Sequence, residues 1–237
     1  MKKLFLLMAA AGILVGCGQT KKADSQAEEP IQETQKMVAL SFDDGPNTTT
    51  TVQMLDMLEK HGVKGSFYVI GKNINEESAV VMKRAFDMGC DIQNHSFNHH
   101  DMANLTAEEV QSEIKETTAL IEKYIGVTPE YFRPPFISIN QTLFDNVDLT
   151  FISGIGVEDW MPNVGAEERA KRMLDIAEDG LIFLLHDMNG NEATVQALDI
   201  AIPQLKEQGY QFVTVPELFK VKNITPVKGK IYSNVLK

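Results

Sequence analysis

Short apolar runs alternate with amphipathic segments along most of the chain. The apolar runs predict seven strands, at residues 37–42, 65–70, 90–94, 131–132, 149–155, 181–185 and 211–215. The segments between them repeat apolar residues every three or four positions, as Val52, Leu55 and Leu58 do, and this spacing predicts helices. Strands that alternate with helices pair in parallel. Because the chain has no dinucleotide-binding fingerprint, seven such units favour a closed or nearly closed α/β barrel, with an open doubly wound sheet as the alternative.

Local signals predict where several helices begin and end. Thr106 and Glu109 form a capping box that predicts the start of a long helix, and Gly126 predicts its end. Pro203 falls inside the helical pattern at residues 192–208 and predicts a kink there. From residue 221 onward the chain carries no informative pattern, so we expect a C-terminal tail at residues 221–237.

The N-terminal segment has the arrangement of a bacterial lipoprotein signal. Lys2 and Lys3 precede an apolar run at residues 4–15 that is too short to span a bilayer as a mature helix. The run ends in Leu-Val-Gly-Cys, which resembles a lipobox, so we expect removal of residues 1–16 and acylation of Cys17. An ordinary secretory signal with an incidental cysteine is the alternative. The prediction is an extracytoplasmic protein, anchored by lipid to the bacterial cell membrane through a polar tether at residues 17–36, with a folded domain at residues 37–220.

Charge and cysteine content narrow the possible partners. The net charge of -11 disfavours nucleic acid and bare anionic membrane. Cys90 is the one cysteine besides Cys17, so acylation of Cys17 leaves no disulfide, and Cys90 is expected to fill a small space in the core. With 43% hydrophobic residues the chain can bury a sizeable core. We also expect the protein to be a monomer.

Five of the predicted strands end in polar residues that are capable of chemistry. These strand ends carry Asp43-Asp44, residues 95–99, Arg133, Asp159-Trp160 and His186-Asp187. In a parallel barrel the C-terminal ends of the strands lie on one face, which is where active sites are built. Five unrelated surface turns are a poor explanation for this coincidence, so we expect one site.

Asp44, His95 and His99 form a candidate metal site. The two histidines are four residues apart, which puts both imidazoles on one side if their loop winds as a helical turn. Asp43 and Asp44 at the end of a buried strand repel each other, and a bound cation would offset that cost. Two histidines and one carboxylate leave open positions for water and substrate. We expect one divalent metal ion, with zinc as the default and cobalt or another divalent metal as alternatives.

The polar strand ends resemble the motifs of a known family. In chain order they read Ser-Phe-Asp-Asp-Gly-Pro, His-Ser-x-x-His, Arg-Pro-Pro-Phe, Asp-Trp and Leu-Leu-His-Asp. Their order and spacing resemble those of the polysaccharide deacetylase family, the nodulation-factor deacetylase homology domain of carbohydrate esterase family four. The resemblance covers residues 37–219. It implies a deformed (β/α) barrel of about seven strands and metal-dependent removal of acetyl groups from an extracellular polysaccharide.

The resemblance also implies roles for individual residues. The implied roles are Asp43 as catalytic base, Asp44, His95 and His99 as metal ligands, Arg133 as the residue that orients the base, Asp159 as the partner that tunes the acid–base pair, His186 as general acid, and Trp160 and Leu184 as the acetyl-methyl pocket. The chemistry agrees, because an unligated carboxylate can accept a proton and an imidazole can donate one. We expect the backbone N–H of Phe136 to assist the oxyanion.

Two departures from the family pattern bear on the substrate. Gly156 stands where the family usually has Asp, and Ile137 stands where it usually has Gly. The stretch at residues 143–149 and the altered Asp-Trp motif resemble the acetylxylan esterase branch, which cleaves O-acetyl esters. N-acetyl groups of peptidoglycan or chitin-like glycans and O-acetyl groups of xylan therefore both stay open as substrates.

Two other function classes are weighed against the enzyme. A non-catalytic glycan-binding module that keeps the barrel would be favoured by loss of the base or the acid, but Asp43 and His186 are both present. A structural metalloprotein would close its metal site with four protein ligands, whereas the sequence offers three.

Overall fold

The structure is a computed structural model that describes residues 35–236. Cys17, the predicted signal peptide and all but the last residues of the predicted tether lie outside the described residues. No helix within residues 35–236 is long and apolar enough to cross a lipid bilayer.

One parallel sheet surrounded by helices makes up the described part of the chain. The strands are β1 (Lys36–Asp43), β2 (Ser66–Val69), β3 (Asp91–Asn94), β4 (Tyr131–Phe132), β5 (Thr150–Ile152), β6 (Ile155–Gly156), β7 (Ile182–His186), β8 (Tyr210–Val213) and β9 (Ile231–Tyr232). The α-helices are α1 (Thr50–His61), α2 (Glu76–Asp87), α3 (Ala107–Ile125), α4 (Gln141–Asn146), α5 (Ala166–Ile176), α6 (Glu192–Glu207) and α7 (Val215–Lys222).

The strand order confirms the α/β class and the deformed barrel. The sheet runs β6-β7-β1-β2-β3-β4-β5-β9, β8 pairs with β1, and every strand pair is parallel. β1 is the central strand of the sheet, because it pairs with β2, β7 and β8. The sheet curls with its two ends at β6 and β9, so the barrel is incomplete between those strands.

The chain beyond residue 221 contributes to the sheet, although its sequence gave no such indication. β9 pairs with β5, and just after it Asn234 forms an antiparallel bridge with Leu181. The Val235 N–H donates to the carbonyl of Gly180 at 2.8 Å. These contacts join the tail to the chain that leads into β7, on the open side of the barrel. A two-residue strand carries too few side chains to show an alternating pattern in sequence.

The alternation of side chains along β1 explains how the core and the site share one strand. Val38, Leu40 and Phe42 pack outward into the main hydrophobic cluster beneath the helices, while Met37 and Ala39 face the barrel interior. With a side-chain period of two, the same inner face continues through Ser41 and Asp43. The interior of the barrel is therefore apolar at the N-terminal end of β1 and polar at its C-terminal end.

The predicted capping box is confirmed, and one predicted strand is divided in two. Thr106 and Glu109 form the predicted capping box at the start of α3, with a Glu109 N–H to Thr106 Oγ1 distance of 3.3 Å. α6 runs through Pro203 as one helix, and the kink there stays a prediction. The apolar run at residues 149–155 splits into β5 and β6 at Gly154, which has a φ of +73° and where a Cβ would lie 3.1 Å from Arg133 Nη2. Glycine is needed there because the guanidinium of Arg133 packs directly against it.

Candidate active site

The C-terminal strand ends surround a cavity of about 420 Å³, as the barrel topology predicts. Its walls carry most of the residues singled out in the sequence. The lining residues are Asp43, Asp44, His95, His99, Pro134, Phe136, Ile137, Trp160, Leu184 and His186. Arg133 and Asp159 lie directly behind this wall, fully buried, and bond to lining residues. The predicted site residues from Asp43 to His186 therefore converge on one cavity.

Asp44, His95 and His99 are brought together in the geometry of a metal site. Asp44 Oδ1 lies 3.3 Å from His99 Nε2 and 3.6 Å from His95 Nε2. One candidate ligand atom from each of the three residues falls within 4.8 Å of the other two. Asp44 Oδ1 is buried and has no hydrogen-bond partner among the described residues, which is costly for a carboxylate oxygen unless a cation satisfies it. The residues present therefore fit a divalent metal.

The orientation of His95 is fixed by a bond on its far side. His95 Nδ1 donates to the carbonyl of Arg133 at 2.6 Å, which leaves Nε2 as the atom that faces Asp44. Such a partner behind a histidine sets its tautomer and its direction in metal sites. Burial alone would raise the pKa of Asp44, but the neighbouring histidines outweigh it and lower that pKa to about 2.

The loop that carries the two histidines does not wind as the predicted helical turn. Ser96 and His99 have φ values of +67° and +60°, and the His99 N–H donates to Ser96 Oγ at 3.0 Å. Buried Glu113 of α3 accepts the N–H groups of residues 97 and 98 at 2.8 Å and 2.7 Å. The imidazoles still end up adjacent, with ring centroids 4.9 Å apart. The spacing predicted the pairing correctly, but the helical reason for it was wrong.

The turn after β1 is fixed from the opposite side by Asp187. The Gly45 N–H donates to Asp187 Oδ1 at 3.1 Å, and Thr51 Oγ1 donates to Asp187 Oδ2 at 2.5 Å. A Cβ at position 45 would lie 2.4 Å from Asp187 Oδ2, so only glycine permits this approach. Burial, helped by the charges of Asp44 and Asp43, raises the pKa of Asp187 to about 7. Asp187 thus holds the turn that presents both acids.

Asp43 is held by a buried arginine through one carboxylate oxygen, and its other oxygen, Oδ2, lies 3.8 Å from His95 Nε2. Arg133 Nη1 donates to Asp43 Oδ1 at 2.6 Å, and Arg133 Nη2 donates to Ser41 Oγ at 2.7 Å. Ser41 in turn donates to the carbonyl of Phe183 on β7 at 2.5 Å. The guanidinium lies over the ring of Tyr68, 4.2 Å from its centroid. Asp43 Oδ2 makes none of these bonds, which leaves it as the oxygen that can accept a proton.

His186 and Asp159 form a second polar unit across the cavity. His186 Nδ1 donates to Asp159 Oδ1 at 2.8 Å, and the His186 backbone N–H donates to Asp159 Oδ2 at 2.8 Å. Burial alone would lower the pKa of His186, but the bond to Asp159 and the charges of Asp159, Asp43 and Asp44 raise it to about 9. In the metal-free protein the imidazole is therefore protonated at neutral pH, and its Nε2 carries the proton that can be transferred.

Apolar side chains form the rest of the cavity wall. Trp160 is 46% exposed, and its ring lies so close to Gly156 that a Cβ there would be 3.1 Å from Trp160 Cζ3. Leu184 Cδ2 lies beside the same glycine. Phe136 is 69% exposed, with its ring centroid 4.8 Å from that of His99. Phe136 and Ile137 both have positive φ values, so isoleucine stands in a left-handed conformation where the family pattern has glycine.

The comparison with family models identifies this constellation. The model described as polysaccharide deacetylase matches residues 31–150. The chain belongs to the polysaccharide deacetylase family. The match to the family model ends before Asp159 and His186. The similarity of those two residues' surroundings to the family therefore rests on individual relatives that cover more of the chain.

Three relatives of the family show how far the likeness extends. A bifunctional xylanase/deacetylase of Pseudobutyrivibrio xylanivorans is 44% identical over 97% of this chain and 38% of its own length. A peptidoglycan-N-acetylglucosamine deacetylase of Bacillus cereus is 33% identical over 81% of this chain and 92% of its own length. The structure of a family 4 acetyl xylan esterase from Clostridium thermocellum in complex with a cobalt ion is 42% identical, with a TM-score of 0.83, over 85% of this chain and 100% of that one. The chain spans less than half of the length of the first curated relatives it matches.

Several residues that build the site were missed by the sequence analysis. Ser41 was detectable, because it shares the inner face of β1 with Asp43 at a spacing of two. Glu113 was detectable as a polar residue on the buried face of α3, between Val110 and Thr117. Arg169, which donates to Thr194 behind Asp159, could not be recognised from the sequence. Its side-chain partners lie 22 or more residues away along the chain, and its other partners are backbone carbonyls.

We predict that Asp44→Asn and Asp43→Asn differ in metal affinity. Asp44→Asn should weaken binding of a divalent metal on the order of 10²-fold or more, because it removes a charged ligand, and excess metal should partly restore binding. Asp43→Asn should leave the affinity largely intact, because Asp43 is bound to Arg133 instead. Competition with a chelating dye measures both variants. An exchange of the two phenotypes would reverse the assignment of base and ligand.

We predict that the fold survives removal of the metal. The hydrophobic clusters contain none of the three ligands, so the packing that stabilises the barrel does not depend on them. Chelation should leave the far-UV circular dichroism spectrum unchanged and lower the melting temperature, since a metal that binds the native state stabilises it by mass action. Loss of most secondary structure on chelation would contradict this.

We predict that Asp159→Asn lowers the pKa of His186. In the metal-free protein the imidazole should titrate near pH 9, because the carboxylate of Asp159 raises the pKa above the ordinary value of 6.5. Without that charge, burial dominates and the proton should be lost at lower pH. Proton NMR of the imidazole measures the titration, with His186→Ala used to assign the signal. An unchanged titration in Asp159→Asn would show that Asp159 does not set this pKa.

Proposed function

We propose that this chain is a metal-dependent hydrolase that removes acetyl groups from a polysaccharide. The observation that carries the proposal is the arrangement of three groups around one cavity. An open three-residue metal site faces an unligated carboxylate, Asp43, and a protonated imidazole, His186. Three protein ligands leave room for water and substrate, which is the pattern of catalytic and not structural metal sites.

Two residues on opposite sides of the cavity carry the two proton transfers of the reaction, one as base and the other as acid. A divalent metal held by Asp44, His95 and His99 would supply Lewis-acid polarisation of the acyl carbonyl. Asp43 accepts the proton of the attacking water, and the buried Arg133 keeps that carboxylate oriented. His186 donates its Nε2 proton to the leaving oxygen or nitrogen, while Asp159 holds the imidazole from the other side. Trp160 and Leu184 surround the acetyl methyl group.

We favour zinc as the metal of this site. Two histidines and one carboxylate are a common zinc set, and zinc tolerates the open coordination that the cavity leaves. The acetyl xylan esterase relative holds a cobalt ion, which keeps cobalt as the alternative. Metal analysis of protein purified without added metal distinguishes the two.

Two of the three relatives described above favour an O-acetyl ester of a xylan-type glycan as the substrate. The xylanase/deacetylase and the acetyl xylan esterase are 44% and 42% identical to this chain, against 33% for the peptidoglycan deacetylase of Bacillus cereus. Gly156, where the chain departs from the usual family motif, leaves room for the Trp160 ring, because a Cβ there would lie 3.1 Å from Trp160 Cζ3. N-acetyl groups of peptidoglycan or chitin-like glycans are the second candidate, which the peptidoglycan deacetylase relatives support.

We further propose that the protein acts outside the cytoplasm, as a monomer held to the membrane by lipid on Cys17. The basic, apolar and Leu-Val-Gly-Cys sequence of residues 2–17 supports this. Mass spectrometry of the native protein is expected to show an acylated N-terminal Cys17. An unmodified Cys17, or cleavage at another position, would contradict the proposal.

Acetate release from three substrates tests the proposed function. Acetylxylan, chitooligosaccharide and peptidoglycan are each assayed with the metal-loaded protein, with and without chelator. We expect acetate from acetylxylan above all, and loss of release on chelation. Asp43→Asn should reduce turnover on the order of 10²-fold or more, because it removes a positioned base but keeps the side-chain shape. Release that persists after chelation, or an Asp43→Asn protein that is fully active, would contradict the mechanism.

A further inference from the structure

Arg169 on α5 is a buried cation that makes four hydrogen bonds and no ion pair within the described residues. It is 3% exposed. Its donors go to the carbonyls of Val164 at 2.8 Å and Met161 at 3.0 Å, to Asn191 Oδ1 at 2.6 Å and to Thr194 Oγ1 at 2.8 Å. Burial of a charged guanidinium is costly because the charge loses its water. The four hydrogen bonds to neutral acceptors offset that cost, and the planar fork of arginine fixes their directions.

Two of these bonds fix the loop that carries Trp160. The Met161 carbonyl belongs to the residue after Trp160, and the Val164 carbonyl lies three residues further on. The Val164 N–H also donates to the Met161 carbonyl at 3.1 Å, so both ends of this turn meet the same guanidinium. Arg169 therefore determines where the backbone next to Trp160 lies.

The other two bonds reach the proton donor. Thr194 Oγ1 donates to Asp159 Oδ2 at 2.9 Å, and Asn191 Nδ2 donates to the carbonyl of His186 at 2.9 Å. The same two side chains accept from Arg169. One guanidinium thus connects the Trp160 wall of the cavity with the Asp159–His186 pair.

The ring of Trp160 depends on its backbone for position. The ring is 46% exposed, packs on Gly156 on one side and lies 5.5 Å from the His186 ring, centroid to centroid. A side chain that is half in solvent has few packing contacts of its own to hold it. The depth of the cavity between Trp160 and Leu184 is therefore sensitive to the turn that Arg169 fixes.

We propose that Arg169 is the positioning residue that sets which acyl chains the cavity admits, by holding the Trp160 wall while it supports the Asp159–His186 pair. The proposal rests on the proposed function, because it concerns the acyl group that is removed. A hydrophobic pocket discriminates by about 10- to 200-fold per methylene, so a fixed wall is enough to separate acetyl from longer acyl groups. Lysine keeps the charge but not the planar fork, and cannot make all four bonds.

The kinetic test uses 4-nitrophenyl acetate, propionate and butyrate with the metal-loaded full-length protein. Their leaving group needs no proton, so the ratio of kcat/KM values between acetate and butyrate reports the acyl pocket alone. Arg169→Lys should lower this ratio about 10-fold or more. Arg84→Lys is the matched control, because Arg84 on α2 pairs at the surface with Asp56 and Glu59, which do not line the cavity.

Two further variants separate the two halves of the network. Gly156→Ala pushes the Trp160 ring from the other side and should also lower the acetate-to-butyrate ratio, without touching Arg169. Thr194→Val removes the bond from Thr194 to Asp159 and one of the two acceptors of Arg169 Nη1, but it leaves the bonds of Arg169 to the carbonyls of Met161 and Val164. It should therefore keep that ratio while reducing kcat on acetylated glycan, where the leaving group needs the proton. If Arg169→Lys fails to fold, the Gly156→Ala result still decides, because an unchanged ratio there removes Trp160 as the acyl limit and overturns the proposal.

Trp160 is the single tryptophan of the chain, so its fluorescence reports the wall without turnover. In Arg169→Lys, acrylamide should quench the emission more strongly than in wild type, while Arg84→Lys stays at the wild-type value. A folded Arg169→Lys protein with wild-type quenching and a wild-type ester ratio overturns the proposal. A wild-type protein that hydrolyses no acetyl ester or glycan overturns the proposed function instead, and the quenching comparison then decides alone whether Arg169 positions Trp160.

Discussion

The buried ion pair between Arg133 and Asp43 is the interaction on which the rest of the site depends. Removing one partner of such a pair leaves an uncompensated charge, which is far more costly than the pair itself. Here Arg133 donates to Asp43 and Ser41 and lies over the face of Tyr68, and the carbonyl of Arg133 accepts from His95. One residue therefore fixes both the carboxylate that accepts a proton and one of the metal ligands, so the two cannot shift independently.

The strands let this polar centre coexist with a stable core. On β1 and β7 the outward residues pack beneath the helices, while the inward residues change from apolar to polar toward the C-terminal end. Met37 and Ala39 precede Ser41 and Asp43, just as Ile182 and Leu184 precede His186. Apolar packing at one end of the barrel stabilises the fold, and the other end is left free for charged groups whose burial alone would be unfavourable.

The sequence was enough to predict which residues at the strand ends form the site. It was not enough to predict the loop conformations and the buried side chains that hold those residues in place. The residues that carry the site lie at or just beyond the C-terminal ends of their strands, so the period of the strands and the parallel topology were enough to bring them together. They are Asp43, Asp44, His95, Arg133, Asp159 and His186. The conformation of the His95–His99 loop was not predictable, because Glu113 on a distant helix and two left-handed residues determine it. The supporting roles of Asp187 and Arg169 could not be predicted either. Their partners are backbone groups and side chains that only the tertiary fold brings near them.

The central claim is that Asp44, His95 and His99 hold a metal while Asp43 stays outside its coordination sphere, bound to Arg133. A crystal structure of the metal-loaded protein, measured at the absorption edge of the bound metal, tests this most directly. The account predicts one anomalous peak bounded by Asp44 and the two Nε2 atoms of the histidines, with Asp43 still bonded to Arg133. A peak at another place, or Asp43 as a direct ligand with its bond to Arg133 broken, would contradict it.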